Sequence, residues 1–317
     1  MSEERLEDAV ALPTELPEAP ARAWIGTPVD GIEVFGALSP SRAADFRSCP
    51  LLYRFRTIDR LPEPASPAAV RGTVVHKVLE QLFDLPSPAR TPERADELVQ
   101  EAWEQVLAAE PAAAEMFVGG PVDGGSVDDG TPIADWLASC HEVLQRYFTL
   151  EDPRALEPAH REEYVETLLD SRLLLRGIVD RIDVAPDGAI RVVDYKTGRS
   201  PGVGFESSAL FQMRFYALVI WRTRGVVPAV LRLIFLGNGE MISYQPDEAD
   251  LRATERLLVA LWEAIQRARE TGDWQPSPGR NCTWCAHQAL CPEFGGTPPP
   301  LPDVSPDPRQ HAETPAG

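Results

Sequence analysis

Between Gly177 and Gly198 the chain reads GIVDRIDVAPDGAIRVVDYKTG, two runs rich in β-branched apolar residues on either side of Pro186-Asp187-Gly188. Such runs joined by turn residues make a hairpin. Pro suits the first central position of a type I turn, Asp the second, and Gly the left-handed position after it. A three-residue loop therefore closes Ala185 onto Ala189. Counting outward from that closing pair sets Asp183 opposite Arg191 and Asp180 opposite Asp194.

The remaining elements follow from the same kind of pattern. Ser39-Pro40 starts a helix, with Ser39 as N-cap and Pro40 at the first helical position, and the helix carries Phe46 and Cys49 up to Pro50. Gly72-Thr73 opens a second helix through Phe83, whose apolar face is Val75, Val78, Leu79, Leu82 and Phe83, with His76 beside it. Thr91 to Leu150 is helical on both sides of GGPVDGGSVDDG, an exposed loop whose acids fail the spacing of a calcium-binding hand. Glu162 to Leu169 reads as a strand, and Ser207 to Arg222 as a helix with Gln212 and Tyr216 on one face. Leu231–Leu236 and Met241–Tyr244 flank Gly237-Asn238-Gly239 as a further hairpin. An amphipathic helix runs from about Asp247 to Thr271.

The main hairpin raises a chemical question. Like charges directly opposite one another destabilise a sheet, so Asp180 and Asp194 need a raised pKa or a cation between them. A hard divalent metal is the simpler answer. Lys196, two residues beyond Asp194, shares its face. It is one of only two lysines, with Lys77, among 30 basic residues, so an ammonium stands here in a chain that otherwise uses Arg. Asp183 and Arg191 make a plain cross-strand ion pair on the other face.

A second centre lies near the C-terminus. Cys282, Cys285 and Cys291 fall within ten residues, with His287 inside the run. Thiolates so clustered hold zinc or an iron-sulfur cluster, and spacing alone does not separate the two. Cys140 has no such neighbour and reads as a buried free thiol.

Composition bounds the rest. The 317 residues, 44% of them hydrophobic, are enough for one catalytic core with helical additions. No run reaches the ~18 apolar residues of a membrane span, the first residues are acidic where a secretion signal is basic, and five cysteines are too few for a disulfide scaffold. A cytoplasmic protein without membrane contact is expected. The net charge of −19 weighs against a nucleic-acid partner. However, Arg42, Arg47, Arg54, Arg56 and Arg60 cluster early, and Arg172, Arg176, Arg181, Arg191 and Arg199 surround the hairpin, so a basic channel on an acidic body is expected. Residues 1–36 and 295–317 are Pro-interrupted and read as disordered arm and tail around a core of residues 37–294, with a helical insertion at about 91–150.

These motifs resemble the PD-(D/E)XK nuclease superfamily in its RecB-like exonuclease branch. The likeness rests on R-G-T-V-V-H at His76, G-I-V-D-R-I-D at Asp180, V-D-Y-K-T-G at Asp194 and Lys196, and Q-M-R-F-Y at Gln212 and Tyr216, in family order. It implies an α/β fold, a restriction-endonuclease-like mixed central sheet flanked by helices. It also implies Mg2+ or Mn2+ held by His76, Asp180, Asp194 and the Tyr195 carbonyl, catalysis by Asp180, Asp194 and Lys196, and positioning by Gln212 and Tyr216. Cys49 matches the family's distant ligand, which with Cys282, Cys285 and Cys291 implies a structural [4Fe-4S] cluster. The implied activity is hydrolysis of DNA, as single strands or flap ends, in repair or recombination. The chain has no Walker A motif, so a helicase would be a separate partner. Two rival readings share the motifs: a CRISPR-associated spacer-processing nuclease, and a catalytically silent DNA-binding subunit.

Overall fold

The structure, a computed structural model, describes residues 34, 36–117, 133–200 and 206–302. Six strands form one mixed sheet: β1 (Gly36–Leu38), β2 (His160–Leu168), β3 (Leu173–Val184), β4 (Ile190–Lys196), β5 (Val230–Phe235) and β6 (Glu240–Tyr244). The order is β1-β3-β4-β5-β6, with β2 paired to β3 outside that path. The β1–β3 and β4–β5 pairs are parallel, the others antiparallel.

The helices are α1 (Pro40–Ser48), α2 (Pro50–Tyr53), α3 (Pro67–Leu82), α4 (Pro92–Ala109), α5 (Ile133–Leu150), α6 (Glu206–Arg224) and α7 (Glu248–Thr271). They cover both faces of the sheet. On one face, Ile182, Ile190, Val192, Leu231 and Leu233 share a core with Phe46 of α1, Phe215 of α6 and Leu258 of α7. On the other, Val193, Tyr195 and Ile234 share a core with Val75 of α3, Trp103 of α4 and Tyr147 of α5. Burial on two faces explains why the strands mix alternating and continuous apolar runs. The helices read as an insertion, α4 and α5, thus help build the core on the second face.

Local chemistry sets the element ends. Ser39 Oγ accepts the Arg42 N–H at 3.3 Å and caps α1, as its sequence predicts. Asp247 and Asp250 form a capping box on α7, the Asp250 N–H donating to Asp247 Oδ1 at 2.8 Å. In the main hairpin, Ala185 N–H donates to the Ala189 carbonyl at 2.9 Å and Gly188 takes φ +84°. The predicted pairs Asp183–Arg191 and Val184–Ile190 are present.

Three readings are corrected. The strand Gly36–Leu38, which begins at the last residue read as arm, was not expected, because its parallel partner Leu173–Leu175 is remote in sequence. The helix α3 begins at Pro67, five residues before Gly72. Gly72 interrupts the apolar period yet stays helical. The first residues of the expected tail are packed down: Arg54 donates to the Pro299 carbonyl, and Gly296 N–H donates to the Cys291 carbonyl at 2.9 Å. The predicted loop GGPVDGGSVDDG lies outside the described residues.

Candidate active site

The site sits where the sheet splits. β2 runs along one edge of β3 from Leu174 to Ile182; on the other edge, β1 takes Leu173–Leu175 and β4 takes Arg181–Val184. Between them, residues 176–180 have no ladder partner on that edge. Beyond Val193, β4 leaves β3 but stays paired to β5 through Asp194, Tyr195 and Lys196. Asp180 spans the resulting fork: its Oδ2 accepts the Tyr195 N–H at 2.7 Å, a carboxylate standing in for a ladder carbonyl.

His76 reaches the fork from α3. Its Nδ1 lies 3.6 Å from Asp180 Oδ2 and 3.7 Å from Glu162 Oε1, and its Nε2 lies 2.9 Å from the Tyr195 carbonyl oxygen. Glu162 stands across β2 from Asp180, between the pairs Arg161–Arg181 and Glu163–Val179, with φ +42°. A glutamate held there is strained, and such strain concentrates at functional positions. His76, Glu162 and Asp180 together offer three ligand atoms within 4.8 Å of one another.

Asp194 is 1% exposed, and neither of its carboxylate oxygens accepts a hydrogen bond of good geometry. Lys196 Nζ stands 2.7 Å from Asp194 Oδ2 and donates to Gln212 Oε1 at 2.8 Å. Gln212 Nε2 in turn donates to the Tyr216 hydroxyl at 3.1 Å. A Cβ on Gly177 would meet the Tyr216 ring at 2.8 Å and Pro40 at 3.3 Å, so this glycine lets α6 and α1 close on the gap in the sheet. Every predicted active-site residue thus converges here. Glu162 is the one that sequence reasoning missed, since nothing in H-R-E-E-Y-V-E distinguishes it from Glu163 or Glu166 before β2 is set in register against β3.

Crowded carboxylates perturb the titration. Burial raises the Asp180 carboxyl to about 7; His76 opposes the rise, while Asp194 and Glu162 add to it. Burial pulls the His76 imidazolium down, yet the charge of Asp180, the bond to Glu162 and the charge of Asp194 outweigh it and hold its pKa up at about 9.

Cys49, Cys282, Cys285 and Cys291 line one open pocket. The Ser277 N–H donates to Cys49 Sγ at 3.4 Å and the Gly279 N–H to Cys282 Sγ at 3.3 Å. His287 turns away from the thiols: it is buried against Phe55, with Nε2 2.8 Å from Glu63 Oε1. Cys140 is fully buried in the helical core, and burial pushes its thiol up to about 11.

Four of the ten arginines expected to line a basic channel are paired with acids of the fold. Arg54 pairs with Asp59 at 2.9 Å, Arg56 with Asp45 and Glu63 at 2.7 Å each, and Arg191 with Asp183 at 2.8 Å. Arg181 is buried beside Glu151. The acids beside Arg54 and Arg181 are required because burying a guanidinium needs a partner, whereas the Arg56 and Arg191 pairs are exposed or half-buried.

Carboxylates at the mouth of a forked hairpin, a lysine beside them and a histidine from the facing helix define a site of nuclease type. The chain belongs to the PD-(D/E)XK nuclease superfamily, whose family model matches residues 37–292. It is 25% identical over 287 residues to the Gene 69 protein of Mycobacterium phage L5, covering 81% of this chain and 96% of the relative. The Gene 69 protein of Mycobacterium phage D29 is 26% identical over 286 residues, with the same coverage. A crystal structure from Eubacterium rectale, of a protein named as a candidate exonuclease, matches with 13% identity and a TM-score of 0.47, covering 79% of this chain and 87% of that one. Nucleases of this superfamily use a divalent metal, and the acidic cluster with His76 is the candidate place for it. Among the described residues no helix is long and apolar enough to cross a membrane.

A pH prediction arises from the crowding. Asp180 and His76 both hold a proton more tightly in the folded protein than in the unfolded chain. The Asp180 contribution is full below its ordinary value of 3.8 and lost as pH rises through about 7; that of His76 is full below 6.5 and lost through about 9. In EDTA the melting temperature is therefore expected to fall across that interval. Mn2+ is expected to reverse the fall, since a cation replaces the protons. Melting curves at several pH values decide it, and a profile that rises towards pH 9 in EDTA would contradict the crowding.

Proposed function

We propose that this chain is a Mg2+- or Mn2+-dependent DNA exonuclease of the RecB-like type, acting on single strands or flap ends in repair or recombination. The observation that carries this reading is the convergence of Asp180, Asp194 and Lys196 with His76 and Glu162 on one fork of the sheet. The donor set suits a hard cation: two carboxylates and an imidazole within reach of one ion, with the buried Asp194 beside them and paired to Lys196. His76 faces Asp180 and Glu162 with Nδ1, the proposed imidazole ligand, while Nε2 bonds the Tyr195 carbonyl at 2.9 Å; that carbonyl, expected as a ligand, here fixes the ring, and Asp180, Glu162 and Asp194 complete the proposed set. A bound ion supplies Lewis acidity at a phosphoryl oxygen and a more acidic water.

The chain's own groups do the rest. Lys196 sets a positive charge where negative charge gathers on phosphorus. Gln212 fixes the Lys196 ammonium through its carbonyl oxygen and is itself held by Tyr216, so the lysine is oriented before substrate arrives. Four thiols around one pocket, two of them receiving backbone N–H groups, suit a [4Fe-4S] cluster in donor number and polarity. Its proposed role is structural, joining both ends of the nuclease domain.

The test is degradation of end-labelled single-stranded DNA by anaerobically purified protein. Loss of label with Mn2+ or Mg2+ and none with EDTA is the expected result, and the labelled end reports polarity. If single-stranded, flap and duplex substrates all stay uncut while the cluster is intact, the nuclease reading fails and a binding subunit takes its place.

A further inference from the structure

Tyr195, the middle residue of the acid-x-lysine run, is held at three points. Its N–H and carbonyl face Asp180 and His76 inside the site. Its hydroxyl, on the other face of the sheet, accepts a hydrogen bond from Arg181. Arg181 is 1% exposed, and its Nη1 and Nη2 donate to the two carboxylate oxygens of Glu151 at 2.7 and 3.0 Å. Its Nε lies 3.1 Å from Asp183 Oδ1. Glu151 directly follows α5 and is itself buried, so the anchor belongs to the helical layer. The Tyr195 ring is edge-on to His76 at 6.2 Å and to Tyr147 at 5.8 Å.

Such a network is costly to bury unless its geometry is good, and a bidentate guanidinium–carboxylate pair is the geometry that suits it. Its place explains its use. At the fork, β4 has lost its backbone ladder to β3, so one side of the Tyr195 peptide is restrained by side chains alone. Groups behind a metal site that fix its ligands govern affinity nearly as strongly as the ligands.

We propose that Glu151 and Arg181, acting through the Tyr195 hydroxyl, form a clamp that positions the Tyr195 main chain, and with it Asp180 and His76, for divalent metal. The clamp rests on the metal site proposed above. Glu151 and Arg181 are positioning residues, and they tie the helical layer to the reacting strand.

Tyr195→Phe tests this, because it removes only the hydroxyl and leaves the Arg181–Glu151 pair intact. The readout is Mn2+ affinity without DNA, from the electron paramagnetic resonance signal of free Mn2+, beside melting in EDTA. The expected result is a Kd weakened by about tenfold, with melting in EDTA lowered no further than the loss of one buried hydrogen bond accounts for. Glu151→Gln is expected to weaken Mn2+ binding in the same direction. An unchanged Mn2+ Kd in Tyr195→Phe overturns the clamp, as does a wild type that binds no Mn2+. A wild type that binds Mn2+ but cuts no DNA sinks the nuclease reading instead, and the affinity comparison still decides the clamp.

Discussion

Lys196→Ala is expected to lower the cleavage rate by about 10²- to 10³-fold while leaving the fold and Mn2+ binding in place. The ammonium is half-buried, paired with Asp194 at 2.7 Å and steered by Gln212 at 2.8 Å, so it is a preorganised charge at the reacting centre. Removing it deletes no ligand of the proposed metal set. Affinity for Mn2+ should hold or rise, since Asp194 loses a competing cation. Lys196→Arg is not expected to restore the rate, because a planar, wider guanidinium cannot take the place of a compact ammonium between Asp194 and Gln212. Single-turnover cleavage of labelled DNA, with Mn2+ affinity measured in parallel, separates chemistry from binding. Cleavage within tenfold of wild type would remove Lys196 from the mechanism.

Cys285→Ser is expected to have the second large effect, this time on stability. It should abolish the visible sulfur-to-iron absorbance and lower the melting temperature by an amount on the order of 10 °C. The reasoning is one of loop closure. The contact between Ser277 and Cys49 Sγ spans 228 residues, and a cross-link over a loop of that size is worth about 5 kcal/mol on the chain-entropy scale. Two further contacts limit the loss: Trp274 stacks on Tyr53 at 6.1 Å, and His287 pairs with Glu63 at 2.8 Å. The variant should therefore be a colourless, less stable protein with its sheet intact. Absorbance, iron content and thermal melting check this. Colourless wild type with stoichiometric zinc would sink the cluster assignment.

What the sequence discloses depends on whether a short-range rule fixes the relevant geometry. The hairpin at Pro186-Asp187-Gly188 was legible in register from Ala185–Ala189 out to Arg181–Val193, but not in its fork: the expected Asp180–Asp194 pair is absent from the ladder, and Asp180 accepts the Tyr195 N–H instead. Gln212 and Tyr216 were legible because a helix sets i and i+4 side by side. Glu162 was not, because β2 meets β3 in a register that no tight turn dictates and its backbone adopts φ +42°. Gly36-Ala37-Leu38 is too short to show any period. The start of α3 had a usable signal in Ser66-Pro67, the same pair that opens α1 as Ser39-Pro40, but Gly72 masks it. The arginines show what composition cannot do: Arg54, Arg56, Arg181 and Arg191 are indistinguishable from solvent-facing charges until the acids packed against them are known.

The position of Cys49 also constrains the order of events during synthesis. It lies at the C-terminal end of α1, early in the chain, whereas Ser277 and the three later cysteines that share its pocket come at least 228 residues afterwards. At a synthesis rate of about 5–20 residues per second, Cys49 waits roughly 10 to 50 s before they emerge. Even β1, which leads into α1, cannot join the sheet until Leu173–Leu175 have been made. The fork draws on residues 76 to 235, so all of its residues are made before Cys282, Cys285 and Cys291. Closing the cysteine pocket is therefore the later of the two events.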